Sequence, residues 1–575
     1  DLQIAPDRIP RLDAYDGIPV DTSDWAVERY SGPKQEAAVA AAIHAANPRT
    51  ILVLPAGTYA GTLSIRRSDV VVRGDCADRS RVVWSHRGTP NNPVFSNAMC
   101  SAGPNRGQFC AADGDCPGSG CDHSVRGTIC NPGWLQLCAG MQGDHLPDVI
   151  SEPHAWSGPH TRGAETLKIA GAQSFAPGDI VWIASDVLPG PDEKAMTDDL
   201  NYMAKVVAVG DGSITLDRGL PIDFSPNGAR VQRWEQVVRN VGVECLTLRD
   251  EAPADPAGLY QSVNLSIRGA FDSWIYDVDL GDSFNTLARV ERSARVVLLG
   301  NRCGEQHKSA RGDGRSCGGA VADNPCWNKQ AIVFDEAHDN SFIDNVVHSS
   351  IGVELSNSAS RNWIAYNYFP KPRLHPAGES RRALFPHGNY AHSNVLEGNV
   401  LWGVGEMDTH WGSQGPRYAW FRNVAVGPVA RFSNEAPKHG GDRFVCSRDA
   451  SYILNRASRF GTADGQRIDA RSQGLHLERN VFTIDLAHDD TTAKGTVAID
   501  NAKAATGTPP PWASTRLPDT LNPRLGGQAP AFWCSNTVRN GGPVCEFTVA
   551  DGGVGALWDG RCILPAQARA QQQCQ

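Results

Sequence analysis

An all-β solenoid of stacked coils is the fold this sequence predicts, and three observations predict it. A phrase ending in asparagine recurs through the middle of the chain: Leu298-Leu-Gly-Asn301, Phe342-Ile-Asp-Asn345, Ile364-Ala-Tyr-Asn367, Leu396-Glu-Gly-Asn399, Trp420-Phe-Arg-Asn423 and Leu477-Glu-Arg-Asn480. Each copy has a large apolar residue three places before the asparagine, and most have apolar residues just after it, as in Val346-Val347, Tyr368-Phe369 and Val400-Leu401. Three copies carry a second asparagine five places earlier, at Asn340, Asn362 and Asn394. The steps between copies are 44, 22, 32, 24 and 57 residues. The steps of 22 and 24 fit one coil, and the longer ones fit a coil with an insertion or two coils with an insertion. An asparagine suits the corner because its amide bonds exposed backbone groups and tolerates left-handed dihedrals. Stacked coils then bring the amides into a ladder.

The elements follow in chain order. Residues 1–34 read as an irregular lead-in with Pro6, Pro10, Pro19 and Pro33. Residues 35–99 hold a short amphipathic helix, Gln35 to Ala46, with Val39 and Ile43 on one face and a stop at Asn47-Pro48. Short β runs follow at Ile51-Leu-Val-Leu54, Gly61 to Ile65 and Val70 to Gly74. Residues 100–140 are a cysteine-rich insertion with Cys100, Cys110, Cys116, Cys121, Cys130 and Cys138, read as a disulfide-stapled loop, knob or lid. Its spacings favour disulfides over zinc. Residues 164–224 form a small antiparallel β insertion, marked by the hairpin turn at Gly210-Asp-Gly212. Coils resume over 237–500, with a loop marked by Cys303, Cys317 and Cys326, and with Asp277 placed in the asparagine frame. Residues 503–575 are proline-rich and carry Cys534, Cys545, Cys562 and Cys574, as a stapled C-terminal cap would.

On these residues the chain resembles the right-handed parallel β-helix proteins of the pectate-lyase-like superfamily, over roughly Gln35 to Phe482. The phrase Leu54-Pro-Ala-Gly-Thr-Tyr59, the helix before it and the Arg73-Gly74-Asp75 coil end are similar to the opening of many carbohydrate-acting members. The resemblance implies an all-β right-handed parallel β-helix with an N-terminal capping helix, a small antiparallel insertion and disulfide-rich loops. It implies action on a polysaccharide lying in a long groove. Neither the polygalacturonase set of an Asn-Thr-Asp, an Asp-Asp pair, a Gly-His-Gly and an Arg-Ile-Lys nor the pectate-lyase vWiDH phrase occurs, so neither activity carries over by motif.

Composition narrows the classes. A net charge of −9 argues against a general nucleic-acid binder, which needs a basic face. No apolar run reaches the ~20 residues of a membrane span. Sixteen cysteines and a start at Asp1 predict a secreted or periplasmic protein with its signal peptide removed.

Candidate chemistry concentrates between Lys371 and His439, where five of the 16 histidines fall among aromatic residues and charges. Rings stack on sugar faces while polar groups fix hydroxyls. The candidate catalytic residues are Arg382, His387, Glu397, Asp408 and His410, with Glu406 beside them and Asp335, Glu336 and Asp339 as alternates on preceding coils. Lys371, Arg373, Arg381, Tyr390, Trp402, Trp411 and Arg417 are the candidate substrate contacts. The cations between Lys371 and Arg382 favour β-elimination on a uronate polymer, whereas the carboxylates fit glycoside hydrolysis. Asp277, Asp279 and Asp282 form a candidate calcium group. A rival class is a non-catalytic adhesin or filament protein, since open coil ends can stack into an oligomer.

Overall fold

The structure is a computed structural model. It describes residues 20–60, 63–75, 80–84, 99–100, 121–122, 133–138, 151–186, 200–234, 237–250, 263–281, 286–304, 330–348, 351–369, 382–388, 390–407, 413–421, 423–434, 451–453, 456–457, 459–460, 476–478, 481–482, 497–499 and 502–503. Parallel strands stack into three faces of a rod. The first face runs from Ala26–Arg29 and Thr50–Leu54 through Val70–Gly74, Val241–Glu244, Ala270–Tyr276, Ala294–Leu299, Ser341–Ile343, Trp363–Ala365 and Val395–Glu397 to Val497–Ile499. The second follows the asparagine corner and includes Arg302–Cys303, Val346–Val347 and Tyr368–Phe369. The third holds Leu63–Ile65, Gly133–Cys138, Val263–Arg268, Thr286–Glu291, Gln330–Asp335, Ile351–Ser356 and Arg382–Pro386. Strands Val400–Met407 and Val424–Asn434 bend from the second face onto the third. Parallel strands joined by such crossovers wind right-handed.

Strand alternation drives this. In Thr286–Glu291, Ala288 and Val290 point into the rod, where they meet Ile332, Phe334, Val353, Leu355 and Leu384 from neighbouring coils. Burying a branched side chain contributes about 1.5–3 kcal/mol, and each coil obtains most of that burial from the coils either side. The helix Glu36–Ala45 buries Val39 and Ile43 in the same core. Gly242 is required by packing, because the Trp274 indole lies where a Cβ would stand, 2.3 Å from it.

Two asparagine ladders fix the corners. The backbone N–H of Asn345 and its Nδ2 both donate to Asn367 Oδ1, at 2.9 Å each. The pattern repeats from Asn301 to Asn345, Asn367 to Asn399 and Asn399 to Asn423. Asn340, Asn362 and Asn394 make a second ladder at the other end of the same strands. Asn480 lies outside the described residues. The 57-residue step holds two coils, since Ser451–Ile453 pairs with Ala419–Phe421 on one side and His476–Glu478 on the other.

Asp277 is one place out of the asparagine frame. Tyr276 sits opposite Leu299, so Asp277 matches Gly300, and Val278 holds the ladder position, where its N–H donates to Asn301 Oδ1 at 2.9 Å. The column before the ladder is left-handed throughout: Asp277, Gly300, Asp344, Tyr366 and Gly398 have φ of 52°, 66°, 56°, 58° and 61°. Aspartate is there for its backbone tolerance.

Between the coils of Val70–Gly74 and Val241–Glu244 stands a closed six-stranded antiparallel barrel. Its strands are His154–Gly158, Thr166–Ile169, Ser213–Leu216, Leu200–Gly210, Ile180–Ser185 and Arg230–Arg233, in that order around the barrel. The barrel therefore begins before residue 164 and ends beyond 224. The Asp211-Gly212 turn joins two of its strands, with Gly212 at φ 67°. Gly133–Cys138, at the end of the cysteine-rich segment, is a rod strand pairing with Leu63–Ile65 and Val263–Arg268. Among the described residues, Cys303 is a free thiol, buried in a strand of the rod where a loop was expected. No disulfide is found among the described residues, so the framework inferred from sixteen cysteines has no support there. No described helix is long and apolar enough to cross a membrane.

Candidate active site on the third face

The outer side of the third face carries charge where neighbouring positions are apolar. Register aligns Ser266, Arg289, Val333, Glu354 and Phe385 in one row, and Arg268, Glu291, Asp335 and Ser356 in the next, which His387 extends. Arg289 is ion-paired with Glu291 at 3.1 Å and with Asp335. Arg268 faces Glu291 at 3.6 Å. Asn357 Nδ2 donates to Asp335 Oδ1 at 2.6 Å.

Glu354 is the carboxyl of these rows that has an unpaired oxygen. It is 8% exposed, yet its Oε2 is buried without a hydrogen-bond partner. Burial raises its proton affinity, with nearby His387 pulling the other way and Asp335 adding to the rise. Burial also raises Asp335, which Arg289 only partly offsets. Burial acts on Glu291 too, but Arg289 and Arg268 overcome it and hold that carboxyl low, at about 2. Glu354 and Asp335 thus hold their protons more tightly than free carboxyls, and Glu291 stays charged. Carboxyls of raised proton affinity beside a fixed anion are groups able to exchange protons with a bound substrate. Phe385 has His387 at 4.4 Å between ring centroids and the Arg382 guanidinium 4.7 Å from its ring centre.

A second polar cluster lies where the barrel meets the rod. Asp339, 2% exposed, accepts from Tyr202 Oη at 2.7 Å and Arg218 at 2.9 Å and pairs with Arg361 at 3.0 Å. Asn201 bridges Glu336 and His338, with 3.0 Å to each, and Arg292 pairs with Glu336. His338 Nδ1 lies 2.9 Å from Ser360 Oγ. Burial holds His338 neutral, down at about 3, while Arg361, Arg218 and the Tyr202 hydroxyl overcome burial to hold Asp339 low. These bonds run between barrel residues and coil residues, and the cluster docks the barrel onto the coils.

The sequence candidates fall in several places. Arg382 and His387 stand on the third face, at the end of the charged rows. Glu397 is on the first face, buried, accepting from Trp363 Nε1 at 3.1 Å and Tyr366 Oη at 2.8 Å. Glu244 repeats that pattern with Trp274 Nε1 at 2.8 Å, so Glu397 belongs to a packing device of the first face. Tyr390 is buried and joins the barrel's apolar core. Trp402 and Arg417 are half-buried, Arg417 with φ 71°. Asp335 joins the charged rows, whereas Glu336 and Asp339 serve the docking cluster. Asp277 and Asp279 are two residues apart at a corner, with Asp279 Oδ1 accepting from the Gly281 N–H at 2.9 Å. Among the described residues no three His, Cys, Asp or Glu side chains converge as a metal site requires. Asp282, Lys371, Arg373, Arg381, Asp408, His410 and Trp411 lie outside the described residues, and the side chain of Glu406 is likewise not described. The sequence reading did not single out Arg289, Glu291 and Glu354. Their signal is a charge at the outward position of an otherwise apolar strand, repeated on neighbouring coils.

No family model matches the chain, and no curated protein matches it. Solved structures similar to it include the tailspike of Pseudomonas phage phi297, at 14% identity over 81% of this chain and 73% of that one, with a TM-score of 0.45. The tailspike of Acinetobacter baumannii bacteriophage AP22, solved in complex with A. baumannii capsular saccharide, is 9% identical over 78% and 63%, with a TM-score of 0.40. Pectate lyase Pel9A is 8% identical over 80% and 81%, with a TM-score of 0.32. The chain's own strand register carries the architectural conclusion: it is a parallel β-helix interrupted by a barrel.

Proposed function

We propose that this protein is an extracellular carbohydrate-active enzyme that cleaves a polysaccharide across the third face of the rod. The observation that carries the reading is Glu354: a buried carboxyl whose Oε2 has no partner, in charged rows that also hold Asp335. A buried carboxyl oxygen without a hydrogen-bond partner is a place where a ligand's polar group can complete the bonding. Of the solved structures similar in fold, one is named a pectate lyase, and the AP22 tailspike is in complex with a capsular saccharide.

The roles follow from the environment. Glu354 gives its proton to the glycosidic oxygen as general acid. Asp335, oriented by Arg289 and Asn357, takes a proton from the attacking water. Asp335 and Glu354 are one coil and two residues apart, which places their Cα atoms about 8 Å from each other. His387 and Arg382, beside Phe385, border the acid. Elimination draws on the cations from Lys371 to Arg382, of which Arg382 alone lies among the described residues.

The test is to incubate the full chain with acidic and neutral polysaccharides and to follow reducing ends and unsaturated products. New reducing ends without unsaturation, lost in Glu354→Gln and Asp335→Asn, support hydrolysis at this site. Unsaturated products that persist in both variants transfer the chemistry to a lyase site elsewhere. Neither cleavage nor glycan binding across the panel, with ordered filaments under the microscope, supports the rival structural role.

A further inference from the structure

We infer that the third face takes an uncharged glycan, so that its reaction is hydrolysis of a neutral polysaccharide; this deepens the reading of Asp335 and Glu354 as base and acid. A uronate polymer brings one carboxylate per acidic sugar and needs cations able to meet it. The guanidinium groups on these rows are already engaged by protein carboxylates. Arg268 faces Glu291, and Arg289 lies between Glu291 and Asp335. Beside the rows, Arg292 is held by Glu336, and Arg295 by Asp217 and Asp272, at 2.7 Å each. Arg382 lies over Phe385.

The rows therefore hold three carboxyl groups, Glu291, Asp335 and Glu354, around two guanidinium groups, Arg268 and Arg289. An incoming anion meets carboxylates first, and drawing Arg289 toward itself would strip the partner from buried Asp335. A neutral sugar makes no such demand. Its hydroxyls donate to carboxylate oxygens, and its ring oxygens accept from a protonated carboxyl. Glu354 Oε2, buried and without a partner, is an independent sign of the ligand, because it is a place where such a hydroxyl or glycosidic oxygen completes the bonding.

The experiment compares the full chain on neutral polymers (amylose, dextran, xylan and mannan) and uronate polymers (polygalacturonate and alginate), at low and high salt. We expect cleavage of a neutral polymer, with binding that changes less than about twofold with salt. Glu291→Gln, which releases a guanidinium from one partner, is expected to improve uronate-oligosaccharide binding about tenfold, the effect of one charge-assisted hydrogen bond. Glu354-dependent hydrolysis of a uronate polymer by the unaltered protein overturns the neutral-substrate inference while the acid–base reading stands. Cleavage of a neutral polymer that Glu354→Gln leaves intact overturns the acid–base reading, and the inference falls with it. The panel on unaltered protein decides the matter even if Glu291→Gln fails to fold.

Discussion

The barrel–rod junction and the third face use the same residue types for opposite ends. At the junction Asp339 is buried and bonded by Tyr202, Arg218 and Arg361. On the third face Glu354 is equally buried and its Oε2 is left without a donor. Buried polar groups that satisfy one another rigidify a fold, whereas an unsatisfied one carries a cost that only a ligand or a reaction offsets. Burial and charge alone do not separate structural carboxylates from reactive ones; the completeness of their hydrogen bonding does.

Substitutions at each end should break this contrast in opposite directions. The largest effect belongs to Glu354→Gln, which should lower polysaccharide turnover about 10²–10⁴-fold, the range for a positioned acid. Stability, measured by urea unfolding, should move by less than about 1 kcal/mol, because the amide has the shape of the protonated carboxyl. Next is Asp339→Ala. It takes one partner from two part-buried guanidinium groups and from a buried phenol and should cost about 1–3 kcal/mol of stability, read by the same unfolding curves. A loss of the same order, about 1–3 kcal/mol, is expected for Asn367→Ala, which leaves the N–H and Nδ2 of Asn345 without their acceptor.

Acidity sharpens the comparison further. His338 is held below its ordinary value of 6.5, at about 3. Its unfolded form takes up a proton first, so its stability contribution is complete above pH 6.5 and drains away as pH falls toward 3. Glu354 is held above its ordinary value of 4.5. Its contribution is complete below that value and is lost as pH rises through the raised one. Stability curves against pH should therefore flatten on the alkaline side in Glu354→Gln, while the loss on acidification from pH 6.5 persists. A variant curve that parallels the parent above pH 4.5 would show that Glu354 does not hold its proton more tightly than a free carboxyl.

Much of the architecture was legible because one residue type repeats at one corner. Asn345, Asn367 and Asn399 announce successive coils because no other side chain both donates and accepts in that ladder. The frame blurred at Asp277, where a left-handed backbone accepts aspartate, glycine or even tyrosine, so residue type carries less information. The barrel showed as a hairpin only, since Gly210-Asp-Gly212 is local while closure of His154–Gly158 against Arg230–Arg233 is not. The site was harder to read. A dense stretch of histidines and aromatics drew the candidates toward 371–439, yet Glu397 proved to be bonded to Trp363 and Tyr366. Arg289, Glu291 and Glu354 stand singly in apolar strands, and only the stacking of coils 63 residues apart, from Glu291 to Glu354, gathers them.

The asparagine amides also impose a direction on the rod. Each Oδ1 is taken by the coil before it, and each backbone N–H and one Nδ2 hydrogen are offered to the coil after it, while the other Nδ2 hydrogen goes back to a carbonyl of the coil before. A chain emerging from synthesis thus ends, at every completed coil, in donors awaiting the amide that has yet to arrive. A truncation there leaves a tip of donors without acceptors, whereas at the opposite end the first amide oxygen, Asn301 Oδ1, is already taken by the Val278 N–H.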